Sequence, residues 1–410
     1  MNRSEFQLAF RTLPFLDGHA DDPAGFLELR PGRVLVWDPG AIDGIFRADQ
    51  RLRHPGSRSF KPLLGPRSLL WQEGSRHADY RRVLGGPLRG RQLSGYRNLI
   101  SQATDAAIDA LPIGAEFSVA DWTRGLALRV MARIVFGRAG DDVIVPFGQW
   151  MHRALGSRAR TLAYRYLRGG LPQPDAELKE LLVHRARVAA RKDATTLAGR
   201  LLASDRFSDL HDGELRDQLV SLLFAGHETT ASTAAWTLFW LDRHEKVRVG
   251  VLAELAATTD DGSNVDKVPL LQAVVSETLR LTPPVPAAGN RVLTEACAFG
   301  GREFPAGTVL TPSIYLAHRR PGPFPDPRRF DSGRFLGQRV PSHDYFPFGG
   351  GIRHCLGSRL GQLEVRMIVA ALMRRRELRC VNPRAGVPQL RGHAMAPSAK
   401  LKMKVVPCRG

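Results

Sequence analysis

The stretch Phe348-Gly349-Gly350-Gly351-Ile352-Arg353-His354-Cys355-Leu356-Gly357 decides the fold: a glycine-rich turn carries one cysteine just ahead of an apolar-periodic segment. Over residues 357–373, Leu360, Leu363, Met367, Ala370 and Ala371 recur at three- and four-residue steps, a spacing that predicts a helix. The thiol then falls at a helix N-terminus, where free N–H groups and the dipole favour an anion and depress its pKa. Thiolate is the form that ligates a metal. The three glycines upstream let the backbone turn tightly and come close to a flat cofactor where a side chain would collide. Arg353, two residues before the sulfur, is placed to pair with an acidic group.

Composition narrows what such a cysteine can be. The chain has 410 residues, 43% of them hydrophobic, enough for a large core. Its four cysteines, Cys297, Cys355, Cys380 and Cys408, include no close-spaced pair. That argues against a disulfide framework and against a zinc or iron–sulfur cluster, and fits a reducing cytoplasm. The first ten residues are broken by charges and show no apolar core, so neither a signal peptide nor an N-terminal anchor is expected. The apolar run from Leu219 to Leu241 approaches membrane length but carries His227 and Glu228 near its middle. A carboxylate at the centre of a bilayer costs about 2.5 kcal/mol or more. A buried helix with a functional carboxylate is the expectation. The net charge of +19 comes mainly from dispersed arginines, dense only over 152–192. No recognisable nucleic-acid module or interleaved aromatic platform accompanies them. A solvated basic surface, or a dock for an acidic protein partner, fits better than nucleic-acid binding.

No repeat, low-complexity block or long linker divides the chain, so a single large domain over 1–410 is expected. Residues 33–37 read as a strand, followed by a short helix through Ile42, Ile45 and Phe46. From about 76 to 260 the pattern is mostly helical, with Leu126, Val130, Ile134 and Val135 as one core-facing stripe. Residues 291–317 switch to strand character, with Gly300-Gly301 as a hairpin turn and Pro305-Ala306-Gly307 as another. Residues 319–350 form a long irregular stretch ending at Cys355. Strands return after 378. The whole reads as mainly α with small β-sheets.

Three further strings complete the pattern. Ala225-Gly226-His227-Glu228-Thr229-Thr230 lies inside the long apolar helix, where threonine hydroxyls can bond back one turn and Gly226 makes a kink plausible. Glu277-Thr278-Leu279-Arg280 places an acid and a base on one face of a helix opened by Pro269. His77 and Arg81 share a face over 73–82. Taken alone, the acid–threonine string reads equally as a buried helix satisfying itself, and the Glu–Arg string as an ordinary surface pair.

The form F-x-x-G-x-R-x-C-x-G resembles the cytochrome P-450 family of haem-thiolate enzymes, and the other strings fall in that family's order over roughly residues 30–407. The resemblance implies the family's fold and a haem b (iron protoporphyrin IX) whose iron takes Cys355 as axial ligand, with Phe348, Gly351 and Gly357 in the ligand loop. It implies an acid–alcohol pair, Glu228 and Thr229, delivering protons to bound O2, with Ala225 on the same helix facing the cofactor. It implies propionate contacts from His77, Arg81, Arg291 and Arg353. Glu277 and Arg280 match its structural pair, and Arg334 its usual third member, although Ser332-Gly333 replaces the family's Pro-Glu ahead of that arginine. His227 receives no role.

The activity so implied is a monooxygenase that hydroxylates or epoxidises a hydrophobic small molecule, with a terpenoid or polyketide of secondary metabolism as the favoured class. The chain shows no flavin or nucleotide fingerprint, so electrons must come from separate proteins, and an acidic ferredoxin with its reductase is the expected source. A cytoplasmic enzyme without a membrane anchor is expected. A peroxygenase or oxidative-coupling catalyst on the same scaffold, and a haem-binding sensor without turnover, are the competing readings.

Overall fold

The computed structural model describes residues 3–258, 265–392 and 394–406; Cys408 lies outside them. The chain forms two compact units, Met1–Gly56 with Ala273–Cys355 and Ser57–Gln272 with Leu356–Gly410. The first holds the cysteine turn and the second most of the helices.

In the cysteine unit, the β-branched and apolar run Arg33–Val36 makes a strand buried at Val34, Leu35 and Val36. It pairs antiparallel with Phe26–Arg30 and parallel with Val309–Pro312, which in turn pairs with Arg291–Val292. The helix Pro39–Arg47 follows, with Asp38 accepting the Ala41 N–H as its cap and proline in its first turn. Cys297–Phe299 and Arg302–Phe304 form the hairpin expected around Gly300-Gly301, both glycines at positive φ. The turn at 305–307 is not a second hairpin. It joins strands of two different sheets, because Val309–Pro312 is claimed by Arg33–Val36. Strand character also stops early, at the short helix Ile314–Ala317.

In the helical unit, the helix Asp212–Arg243 is 32 residues long and buried on nearly every side. It is buried in this way because it is a core element, and its polar residues His227 and Glu228 are buried with it. It packs against Val119–Phe136, Ser358–Arg375 and the strand Ala394–Pro397. Among the described residues no helix is long and apolar enough to cross a membrane. The helix continues through Gly226 without a break in its assignment. A Cβ there would sit 2.5 Å from Met131 Sδ, so this glycine admits the neighbouring helix. The helix Ser358–Arg375 begins three residues after Cys355 and buries Leu360, Leu363, Met367 and Ala370 as the periodicity requires.

Candidate active site

In the cysteine unit, the loop that carries Cys355 is held by buried charge. Cys355 is exposed, while its backbone N–H donates to Phe348 O at 2.9 Å. Gly351, at φ +64°, would place a Cβ 2.3 Å from Asp49 Oδ2, and Gly350 would place one 2.3 Å from Phe46. The protein's own packing therefore demands these two glycines, a different cause from the cofactor approach inferred from sequence. Only Gly349 and Gly357 keep open space or bare van der Waals contact where a Cβ would stand.

Asp49, only 1% exposed, organises this loop, and nothing in the sequence marked it. It accepts from His54 Nε2 at 2.9 Å, from Arg291 Nε at 2.9 Å and from the Arg353 backbone N–H at 3.4 Å. Burial opposes its charge, but His54 and Arg291 hold the carboxyl below its ordinary range. Arg291 also donates from Nη1 to Gly289 O at 2.6 Å and from Nη2 to Gly350 O at 3.2 Å and Asp49 Oδ2 at 3.4 Å, so one Nη1 hydrogen is left for any further acceptor. The structure thus gives Arg291 a partner that the sequence reading lacked. Phe348 is half-buried, and the Arg353 side chain is half-buried at the loop's end.

Glu277 and Arg280 are both fully buried and paired twice, at 2.6 and 2.8 Å. Arg280 continues to the carbonyls of His318, Pro327 and Arg329, and the Asp331 N–H donates to Glu277. Arg334 Nε lies 3.5 Å from Glu277 Oε1, despite the altered residues before it. This is no surface pair. Removing one partner of a buried pair leaves an uncompensated charge, a loss of about 3–5 kcal/mol.

In the helical unit, Ala225 is exposed and Gly226 and Thr229 half-exposed in the middle of an otherwise buried helix. Thr229 Oγ1 donates to Ala225 O at 2.8 Å. Glu228, one residue earlier and about 100° round the helix, points the other way and is 1% exposed. Its Oε1 lies 3.1 Å from both Arg124 Nε and Arg391 Nε and 3.4 Å from His227 Nε2. Burial alone would raise its pKa; Arg124, His227 and Arg391 instead hold the carboxyl well below the usual range. His227, given no role from sequence, anchors through Nδ1 to Leu223 O at 2.6 Å. His77 is buried and Arg81 half-buried, on one face of Gly74–Gly85.

These features fit a haem on each unit's own terms. One unit presents an exposed thiol on a loop tied by the buried Asp49 and Arg291. The other opens a core helix at an alanine and a threonine, with no Cβ over Gly357 and a basic pair on a nearby helix. No group of three or more His, Cys, Asp or Glu suited to a bare metal ion occurs among the described residues.

Comparison with known proteins agrees. Residues 176–405 match the cytochrome P-450 family. A putative cytochrome P-450 from Mycobacterium tuberculosis is 33% identical over 392 residues, covering 91% of this chain and 82% of that protein. The cyclooctat-9-en-7-ol 5-monooxygenase of Streptomyces melanosporofaciens is 32% identical over 343 residues, covering 78% and 74%. A solved cyanobacterial structure with retinoic acid bound superposes at a TM-score of 0.80 with 26% identity, covering 91% and 88%. Fold and site define a haem-thiolate monooxygenase, an oxidoreductase that uses O2, takes a hydrophobic substrate and draws on a redox partner. The chain belongs to the cytochrome P-450 family.

Proposed function

We propose that this enzyme holds haem b through the Cys355 thiolate and hydroxylates or epoxidises a bulky apolar molecule of the terpenoid or polyketide class. Electrons come from a separate ferredoxin and its reductase in the cytoplasm. The observation that carries the reading is the exposed Cys355 thiol on a loop fixed by buried Asp49 and Arg291. When bound, the haem supplies O2 activation and insertion of one oxygen atom into an unactivated C–H or C=C bond.

The chain's own residues do the rest. His77, Arg81 and Arg353, with the remaining Nη1 hydrogen of Arg291, pair with the propionates. Phe348, Gly351 and Gly357 shape the ligand loop, and Ala225 leaves room beside its own helix. Thr229 must exchange its bond to Ala225 O for one to the reacting group in order to pass a proton. Glu228, ionised between two arginines, can take a proton from solvent only by loosening one of those ion pairs. Glu277, Arg280 and Arg334 keep the loop in place. The relative that oxygenates cyclooctat-9-en-7-ol, and the neighbour with retinoic acid bound, support an apolar substrate. The intact Glu228-Thr229 pair favours O2 over peroxide as the oxygen source.

The test is the reduced protein with carbon monoxide. The wild type should show the red-shifted Soret band of thiolate ligation, and Cys355→Ala should lack it. Thr229→Ala should keep the band while product formed per electron falls severalfold. A shifted band in Cys355→Ala sinks the ligand assignment; undiminished coupling in Thr229→Ala sinks the relay.

A further inference from the structure

His318 belongs to the same unit as Cys355 and lies just past the short helix Ile314–Ala317. It is fully buried. Its backbone carbonyl accepts from Arg280 Nη1 at 2.8 Å, so the Glu277–Arg280 pair grips this residue directly. Its ring works in the opposite direction: Nε2 accepts the backbone N–H of Phe346 at 3.0 Å. The ring face stacks on Tyr345 at 5.1 Å, and the Tyr345 hydroxyl donates to Ser276 O at 2.9 Å. The ring edge meets Phe346 at 5.4 Å.

Phe346 opens the ligand loop. Its carbonyl accepts the Gly349 N–H at 2.8 Å, and its ring lies edge-on to Phe46 at 5.5 Å. Phe46 in turn occupies the space that Gly350 leaves. Six residues after Gly349, the Cys355 N–H returns to Phe348 O. One hydrogen bond, from Phe346 to the His318 imidazole, therefore joins the buried Glu277–Arg280 pair to the loop that carries the thiol.

We propose that His318 is a positioning residue for the cysteine ligand, fixing the start of the 346–355 loop by accepting the Phe346 N–H. This rests on the reading of Cys355 as the haem ligand. An imidazole can accept that bond only while Nε2 is unprotonated. Burial, together with the Arg280 and Arg319 guanidiniums, drives its pKa well below the ordinary histidine value. The proton then resides on Nδ1, a buried nitrogen near the backbone of Leu279 and Arg280 that makes no hydrogen bond of normal length among the described residues. Besides these two arginines, Tyr345 is stacked on the ring's face.

Reach separates this role from simple core filling. A glutamine places its amide near the position of Nε2 and can still accept from Phe346. An asparagine reaches only as far as Nδ1. Both are polar and of similar bulk. The readout is the rate at which the red-shifted Soret band of the reduced carbon monoxide complex converts to the unshifted form at neutral pH. His318→Gln should stay within about twofold of the wild type. His318→Asn should convert about tenfold faster, the size expected for one net hydrogen bond. Equal rates in the two variants, whether fast or slow, overturn the proposal. If the wild type itself lacks the shifted band, the ligand reading fails instead.

Discussion

Two glutamates of the helical unit, both almost fully buried, are treated in opposite ways by their surroundings. Glu228 has two arginines against it and stays ionised. Glu364, on Ser358–Arg375, is 2% exposed and its Oε1 has no hydrogen-bond partner among the described residues. Burial pushes its pKa up to about 8. In the unfolded chain a glutamate titrates near 4.3. Between these values the native state keeps a proton that the unfolded state releases, so stability is full below the lower value and falls as pH rises toward the upper one. By pH 7 the loss is about 4 kcal/mol, at about 1.4 kcal/mol for each pH unit. Glu364→Gln, which remains neutral throughout, should be the more stable protein at pH 8 and close to the wild type at pH 5. Urea unfolding of the haem-loaded protein at several pH values measures this. Parallel pH slopes for the two proteins would mean that Glu364 is ionised or partnered in the native state.

Among the elements, the contact between Asp212–Arg243 and Val119–Phe136 depends on one missing side chain. At Gly226 a Cβ would meet Met131 Sδ at 2.5 Å and Cγ at 2.8 Å. Gly→Ala inside a helix normally gains about 0.5–1 kcal/mol, whereas overpacking a filled core loses about 1–3 kcal/mol. The second effect should win here, so Gly226→Ala is expected to lower stability by about 1 kcal/mol. Met131→Ala in the same background should recover part of that loss, with a coupling that a double-mutant cycle of thermal unfolding can read. Additive effects would show that the two residues do not crowd each other.

The same glycine shows what the sequence could and could not tell. The helix around it was legible, because its apolar content and the lengths of its neighbours are local properties. The close approach at Gly226 was not, because Met131 comes from another helix. Gly350 and Gly351 were read as making room for a cofactor, but Phe46 and Asp49, from far earlier in the chain, are what they make room for. Arg391 and Arg124 reach Glu228 from a strand and a helix distant in sequence. Neither stands in a motif. His318 lies in the irregular stretch before the loop, where no periodicity exists to mark a buried residue.

Across the whole molecule the dominant fact is charge. Surface ion pairs are numerous, Arg47–Asp43 at 2.7 Å and Arg328–Asp21 at 2.9 Å among them, yet each is worth only about 0–1 kcal/mol. They cannot absorb the excess, and a net +19 remains. Such a field contributes little to the fold; it attracts anionic partners and speeds their encounter. On the proposed ferredoxin partnership, it should steer an acidic donor over distances comparable to the Debye length, about 10 Å at 0.1 M salt and about 3 Å at 1 M. The second-order rate of reduction by such a donor should therefore fall at least about tenfold as salt rises from about 0.05 M to about 0.5 M. Binding of an uncharged apolar substrate, followed through the loss of the iron's axial water, should change far less, since burial of apolar surface is not screened. A reduction rate flat in salt, beside unchanged substrate binding, would place donor docking on an uncharged surface and remove the acidic ferredoxin from the reading.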